Sequence, residues 1–133
     1  MANSVFIPCA QALLESDRGN PARGIQALQV ASRYELGPAY VFLPIYVRGL
    51  VYLHAKKGQE AAAEFQRILN YRALGAIAPA YALSHVGLAR AYALAGDSAK
   101  SRKAYQDFFA LWKDADSDVP ILKQARAEYA KLQ

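Results

Sequence analysis

Three groups of residues in this 133-residue chain have side chains that could do chemistry: Cys9 with His54 and His85, the aspartates Asp114, Asp116 and Asp118, and the arginines Arg48 and Arg90 set among apolar neighbours. A thiol paired with an imidazole makes a cysteine nucleophile, but nothing local to Cys9 supports such a pair. Two histidines and one cysteine without ligand spacing make no zinc pattern. Asp114-x-Asp116-x-Asp118 opens like a calcium loop and then fails. Its sixth position, which needs glycine for the turn, is Val119, and its twelfth, which needs a bidentate glutamate, is Ala125. The run reads as an acidic loop ahead of a helix, where carboxylates meet the helix dipole favourably. No catalytic residue, metal or cofactor is expected, and the chain is read as a non-enzyme. Arg48 is expected to pack its stem while its guanidinium reaches water or a carboxylate. His85 is expected in or near the core.

What remains is non-covalent chemistry, and composition limits its kind. Apolar residues make up 54% and charged residues 20%, which places the chain among ordinary globular domains and excludes wholesale disorder. The length suits one domain over residues 1–133. The lone Cys9 excludes an internal disulfide. The net charge of +5 is spread along the chain rather than gathered on one face, so nucleic acid is not expected as a partner. No apolar run reaches the length of a membrane span; Ala39 to Tyr46 is short and contains Pro44. The start, Met1 to Ser4, lacks the regions of a signal peptide. No membrane insertion is expected and the chain reads as soluble; its compartment is unknown from sequence, cytoplasmic, or periplasmic if the segment is cut from a membrane-anchored protein.

Helical periodicity runs through almost the whole sequence, with Gly, Pro and Asn as punctuation. The spacing predicts a first helix from about Pro8 to Arg18, closed by Gly19-Asn20-Pro21, with Asn20 capping a second helix that runs to about Tyr34. Gly37-Pro38 ends that pair. Pro44 opens a third helix reaching Lys56, and a fourth runs from Gln59 to Tyr71. An apolar loop spans Leu74 to Pro79, a fifth helix runs from Pro79 to Ala95, and Asp97 caps a sixth whose buried stripe holds Tyr105, Phe108 and Trp112. A last helix, about 118–132, turns Leu122, Ala125, Tyr129 and Leu132 to one side and leaves Lys123, Glu128 and Lys131 on others.

Two of these hairpins share a skeleton forty residues apart: Gly49, Tyr52, Ala61 and Phe65 recur as Ala89, Tyr92, Ser101 and Tyr105, with turns at Lys57-Gly58 and Gly96-Asp97. Small residues let paired helices approach, and aromatics fill the space opposite. The first hairpin matches less well, with Gly24-x3-Leu28 in place but Glu15 where the others have tyrosine. This spacing resembles the tetratricopeptide repeat superfamily, best over Leu88 to Asp97. The strings around Tyr46 to Gly49, Ala61 to Gln66, Tyr105 to Phe108 and Leu111 to Asp116 are similar to the C-terminal helical-repeat tails of bacterial eukaryotic-type serine/threonine kinases and winged-helix regulators. No phosphate loop, His-Arg-Asp or Asp-Phe-Gly is present, so no kinase activity carries over.

The resemblance implies an all-α fold, an α-solenoid of three antiparallel hairpins (about 8–34, 44–71 and 79–113) with a capping helix, and a binding role. It places Leu43, Tyr46, Val47, Leu50, Leu53, His54, Leu83, Val86, Gly87, Arg90 and Leu94 on the concave face. That face is mostly apolar, and only Arg90 suits a carboxylate clamp. Two expectations follow. One is a non-catalytic module that binds a peptide or protein in the groove, with Leu43, Tyr46, Leu50 and Leu53 as anchors and Arg90 pairing a carboxylate. The other is a homodimer that covers the same face and serves an upstream domain.

Overall fold

The computed structural model describes residues 2–36, 42–72 and 79–132. Among them the structure is helical throughout, with no strand: α1 (Ala2–Asp17), α2 (Pro21–Leu28) running into a 3₁₀ segment (Gln29–Tyr34), α3 (Leu43–His54), α4 (Gly58–Leu69), α5 (Pro79–Leu94), α6 (Ser98–Leu111) and α7 (Pro120–Ala130). Each helix packs on the next in the pairs α1–α2, α3–α4 and α5–α6. Contacts between pairs join α1 and α2 to α3, α3 and α4 to α5, and α6 to α7. The expected end at Gly37-Pro38 and the body of the Leu74–Pro79 loop fall outside the described residues.

Three helix-to-helix turns are built alike. Gly19, Lys56 and Gly96 take positive φ of 83°, 60° and 84°. Their amides donate to Ser16, Leu53 and Ala93, while the amides of Asn20, Lys57 and Asp97 reach back to Glu15, Tyr52 and Tyr92. This double bond is a Schellman closure, which satisfies carbonyls that a helix end would otherwise leave bare. The matching positions lie thirty-seven residues apart between the first and second turns and forty between the second and third.

That register corrects the expected Lys57-Gly58 turn: the left-handed residue is Lys56, and Gly58 serves a different need. A Cβ on Gly58 would lie 2.6 Å from the Ala91 carbonyl oxygen of α5, so glycine is spent on close helix approach rather than on the turn. Small residues meet inside each pair as well. A Cβ on Gly24 would lie 2.8 Å from the Ala12 carbonyl oxygen, and Ser101 Oγ donates to the Ala89 carbonyl at 2.7 Å. Phe65 sits against both Gly49 and Gly87, where a Cβ would come within 2.7 and 2.6 Å of its ring. Glu15, in the tyrosine position, instead accepts from Asn20 Nδ2 and Arg18 Nη1 and ties the first turn with polar bonds.

Three further expectations change at the ends of elements. α1 begins at Ala2 and carries Pro8 inside it. The lost amide is tolerated because Val5, Cys9 and Ala12 are buried with Leu28, Val47 and Val51, and that packing outweighs local propensity. The second helix is α-helical only to Leu28 before tightening. Asn20 precedes α2 without a side-chain cap bond, since its amide group is held by Glu15. Asp97, by contrast, caps α6 as expected by accepting from the Lys100 amide at 3.1 Å. Ala61, Phe65, Ala89, Tyr105, Phe108, Leu122 and Ala125 form one core through α4, α5, α6 and α7.

Candidate functional site

α3 and α5 present the same three helical positions to one side: Leu50, Leu53 and His54 from the first, Arg90, Ala93 and Leu94 from the second. Spacing of i, i+3 and i+4 puts each trio on one helix face. Tyr105 of α6, Glu128 of α7 and the following Lys131 and Leu132 complete a groove of about 640 Å³. α7 is there because Leu122 and Ala125 are buried in the shared core, which turns its other side toward Arg90.

The floor of the groove is an ion pair. Arg90 Nε donates to Glu128 Oε2 at 3.0 Å and Nη2 to Oε1 at 2.9 Å, a two-pronged grip. Tyr105 donates its hydroxyl to Glu128 Oε2 at 2.6 Å. Burial pushes the Tyr105 phenol well above its ordinary range, and the hydrogen bond and charge of Glu128 add to this. Arg90 loses some basicity to burial, but its bonds to Glu128 more than restore it and its pKa rises. Burial also raises Tyr46, against the nearby charge of Arg90. The charges of the floor are matched inside the chain, so the groove offers apolar walls with Lys131 and His54 at the edge.

Arg90 is thus not a free carboxylate receptor: Glu128, expected off the apolar stripe of its helix and still partly exposed, pairs with it, and α7 brings the two together. Of the residues expected on the concave face, Leu50, Leu53, His54, Arg90 and Leu94 line this groove. Leu43, Tyr46, Val47, Leu83 and Val86 do not. Val47 is buried against the first helical pair and Val86 in the core of the later helices, because α3 and α5 are enclosed by neighbours on more than one side. Gly87 is covered by Phe65. Tyr46 is half-buried with its ring edge-on to Phe65 at 5.8 Å. Leu43 and Leu83 are half-buried and stand apart from the groove. Ala93, Tyr105, Glu128, Lys131 and Leu132 were missed. For Glu128 the signal was Arg90 itself, an arginine among apolar neighbours that calls for a carboxylate from another element.

Most of the other chemically able residues are engaged within the chain, although the buried Nδ1 of His85 has no hydrogen-bond partner. Arg48 reaches Glu35 and Glu64, the latter at 3.1 Å, and Arg67 joins Glu35 at 3.1 Å. His54 Nδ1 lies 2.9 Å from Ser16 Oγ and links α3 to α1. Burial lowers the pKa of His85, which is half-buried edge-on to Tyr81. Burial pushes the Cys9 thiol up to about 11, away from nucleophilic use at neutral pH. The Asp116 carboxylate accepts from the Asp118 amide at 2.9 Å and folds the acidic loop on itself. Among the described residues no cluster of three or more His, Cys, Asp or Glu could hold a metal, and no helix is long and apolar enough to cross a membrane. No family model matches the chain, and neither a curated protein nor a solved structure matches it.

Proposed function

We propose that the chain is a tetratricopeptide-like α-solenoid of three hairpins with α7 as its cap, and that it works as a non-catalytic module binding a peptide or protein segment in the groove between α3, α5 and α7. The three matching turns and the small-residue contacts within the pairs support the repeat reading. The observation that carries the binding role is the open apolar groove lined by Leu50, Leu53, Leu94 and Leu132. Apolar grooves on helical faces take amphipathic helices or extended apolar segments. With Arg90 already paired to Glu128, the ligand is held chiefly by apolar anchors, and Lys131 at the edge is the cation placed to orient it.

The test is affinity capture from source-cell lysate on the full chain, comparing wild type with Leu94→Glu and with Leu50→Glu/Leu94→Glu. Leu94 is exposed, so its single substitution leaves the core intact; circular dichroism checks both variants. A protein retained by wild type and lost from both folded variants is the expected result. Equal retention by all three places the contact elsewhere. A concentration-dependent mass by light scattering that Leu94→Glu abolishes would instead give the groove to a second copy of the chain, the architectural alternative.

A further inference from the structure

α1 carries an uncovered copy of a face that the later helices bury. The three matching turns align Ile7, Ala10 and Leu14 of α1 with Pro44, Val47 and Val51 of α3 and with Ser84, Gly87 and Ala91 of α5. On α3 all three positions are buried, Val47 and Val51 in a cluster with Leu28 of α2. On α5 all three are buried too; Phe65 of α4 lies on Gly87, and Gly58 of α4 approaches the Ala91 carbonyl. On α5 the second helix of the preceding pair supplies cover, and on α3 it contributes Leu28 beside Val5, Cys9 and Ala12 of α1. On α1 the positions are as apolar as on α3, yet Ile7 is 49% exposed, Leu14 is 53% exposed and Ala10 is exposed. The opposite end of the stack shows that an outermost face need not be apolar: Lys123, Gln124 and Arg126 on the outside of α7 are all exposed.

We propose that this face of α1 is a second docking surface, and that it receives an acidic amphipathic helix of a partner polypeptide, laid on it as α2 lies on α3 and α4 on α5. The register fixes the anchors. Ala10 stands where Val47 meets leucine and Gly87 meets phenylalanine, so it takes a leucine-sized or larger side chain. Ile7 and Leu14 grip one turn to either side. The charge comes from the lower end, where Leu14 opens onto a cleft of about 410 Å³ edged by Arg18 and Arg23. Arg18 shares Glu15, whereas Arg23 is exposed and has no ion pair among the described residues, so a carboxylate on the incoming helix finds a cation there. A second copy is disfavoured on this face because two chains of net charge +5 repel at long range. The inference stands on the repeated register and does not depend on what the groove binds.

The probe is a labelled synthetic peptide with the sequence of α4, Gly58 to Leu69, carrying Arg67→Glu to make it more acidic and stapled between the exposed positions 59 and 63. Stapling is needed because an isolated helix of this length is marginal in water. Fluorescence anisotropy against the full chain is expected to saturate, to weaken at least tenfold with Ile7→Glu/Leu14→Glu, and to be unchanged by Leu94→Glu. A second measurement guards against weak affinity: the same helix is tethered ahead of Ala2 by a flexible Gly/Ser linker, which raises its effective concentration. The expected rise in Tm is about 3–5 °C, erased by the Ile7 and Leu14 substitutions. Neither saturation nor a Tm rise would overturn the proposal. Binding lost with Leu94→Glu but kept with Ile7→Glu/Leu14→Glu would also overturn it by placing the helix in the groove. A wild-type dimer broken by Ile7→Glu/Leu14→Glu would overturn it in favour of a second copy.

Discussion

Arg48 on α3 and Arg90 on α5 are both arginines on apolar helices, and each finds its carboxylate on another element, yet their surroundings differ in kind. Arg48 sits between Glu35 and Glu64 with Arg67 closing the set, and its side chain is only 13% exposed. Arg90 grips Glu128 at the bottom of an open groove with both side chains 34% exposed. Both guanidinium groups stay charged, because their carboxylate bonds outweigh the cost of burial. The first cluster ties the end of the 3₁₀ segment, α3 and α4 together, with Arg48, Glu35 and Glu64 largely buried and Arg67 alone reaching solvent. The second ties α7 to α5 and α6 and remains within reach of whatever enters the groove. An ion pair in a closed space is a structural commitment that fails badly when halved. One in an open space can exchange partners, since water screens the broken state.

The sharpest way to break the comparison is to remove one charge from each cluster. Arg48→Met leaves the buried Glu35 with only the more exposed Arg67 and leaves Glu64 in the same state. It is expected to destabilise the fold by about 3 kcal/mol in urea unfolding. A loss no larger than that of a surface substitution would show that the cluster is wetter than its geometry implies. Glu128→Gln removes the charge from the Arg90 grip but keeps an acceptor for Tyr105. Its expected cost is smaller, about 1.5 kcal/mol. It also frees Arg90 in the groove, so a ligand bearing a carboxylate should bind the variant more tightly than the wild type. Isothermal titration with the captured ligand, or with a version of it lacking its carboxylates, reads this directly. Arg48→Met should have no such effect on the groove.

How much of this was legible in the sequence follows the range of each interaction. The helices, the Asp97 cap and the buried Phe65, Tyr105 and Phe108 depend on neighbours within a few turns, and spacing alone revealed them. Pro8 misled because a proline ordinarily opens a helix, and the packing of Val5, Cys9 and Ala12 that carries it inside α1 is tertiary. The glycine of Lys57-Gly58 misled for a related reason. Glycine answers two demands, positive φ and close approach, and here they fall on different residues, with Lys56 accepting the turn and Gly58 the contact. The groove was half legible. Its two helical trios repeat at a fixed interval, but Glu128 lies thirty-eight residues from Arg90, and only the docking of α7 shows that the expected receptor already holds a carboxylate.

The smallest expected effect separates the two regions by alkaline pH. Cys9 lies near Arg48, and Tyr105 touches the Arg90 pair through Glu128. Burial raises both above their ordinary values of 9.0 and 10.0, Cys9 to about 11, so each keeps its proton in the fold after the unfolded chain has lost it. The unfolded state then holds fewer protons, and stability must fall as pH rises. For Cys9 the loss starts near pH 9 and is spent near pH 11; for Tyr105 it starts near pH 10. Cys9→Ala, melted alongside wild type from pH 7 to 11, should remove the earlier part of the decline, about 1 kcal/mol at pH 10. Tyr105→Phe should leave that part and reduce the later one, to which Tyr46, also raised by burial, contributes. The substitutions would then assign the first stage of alkaline unfolding to the closed side of the molecule and the second to the groove. Identical pH profiles for Cys9→Ala and wild type would mean that the thiol ionises as readily in the fold as in the open chain, contrary to its burial among Val5, Ala12, Leu28 and Val47.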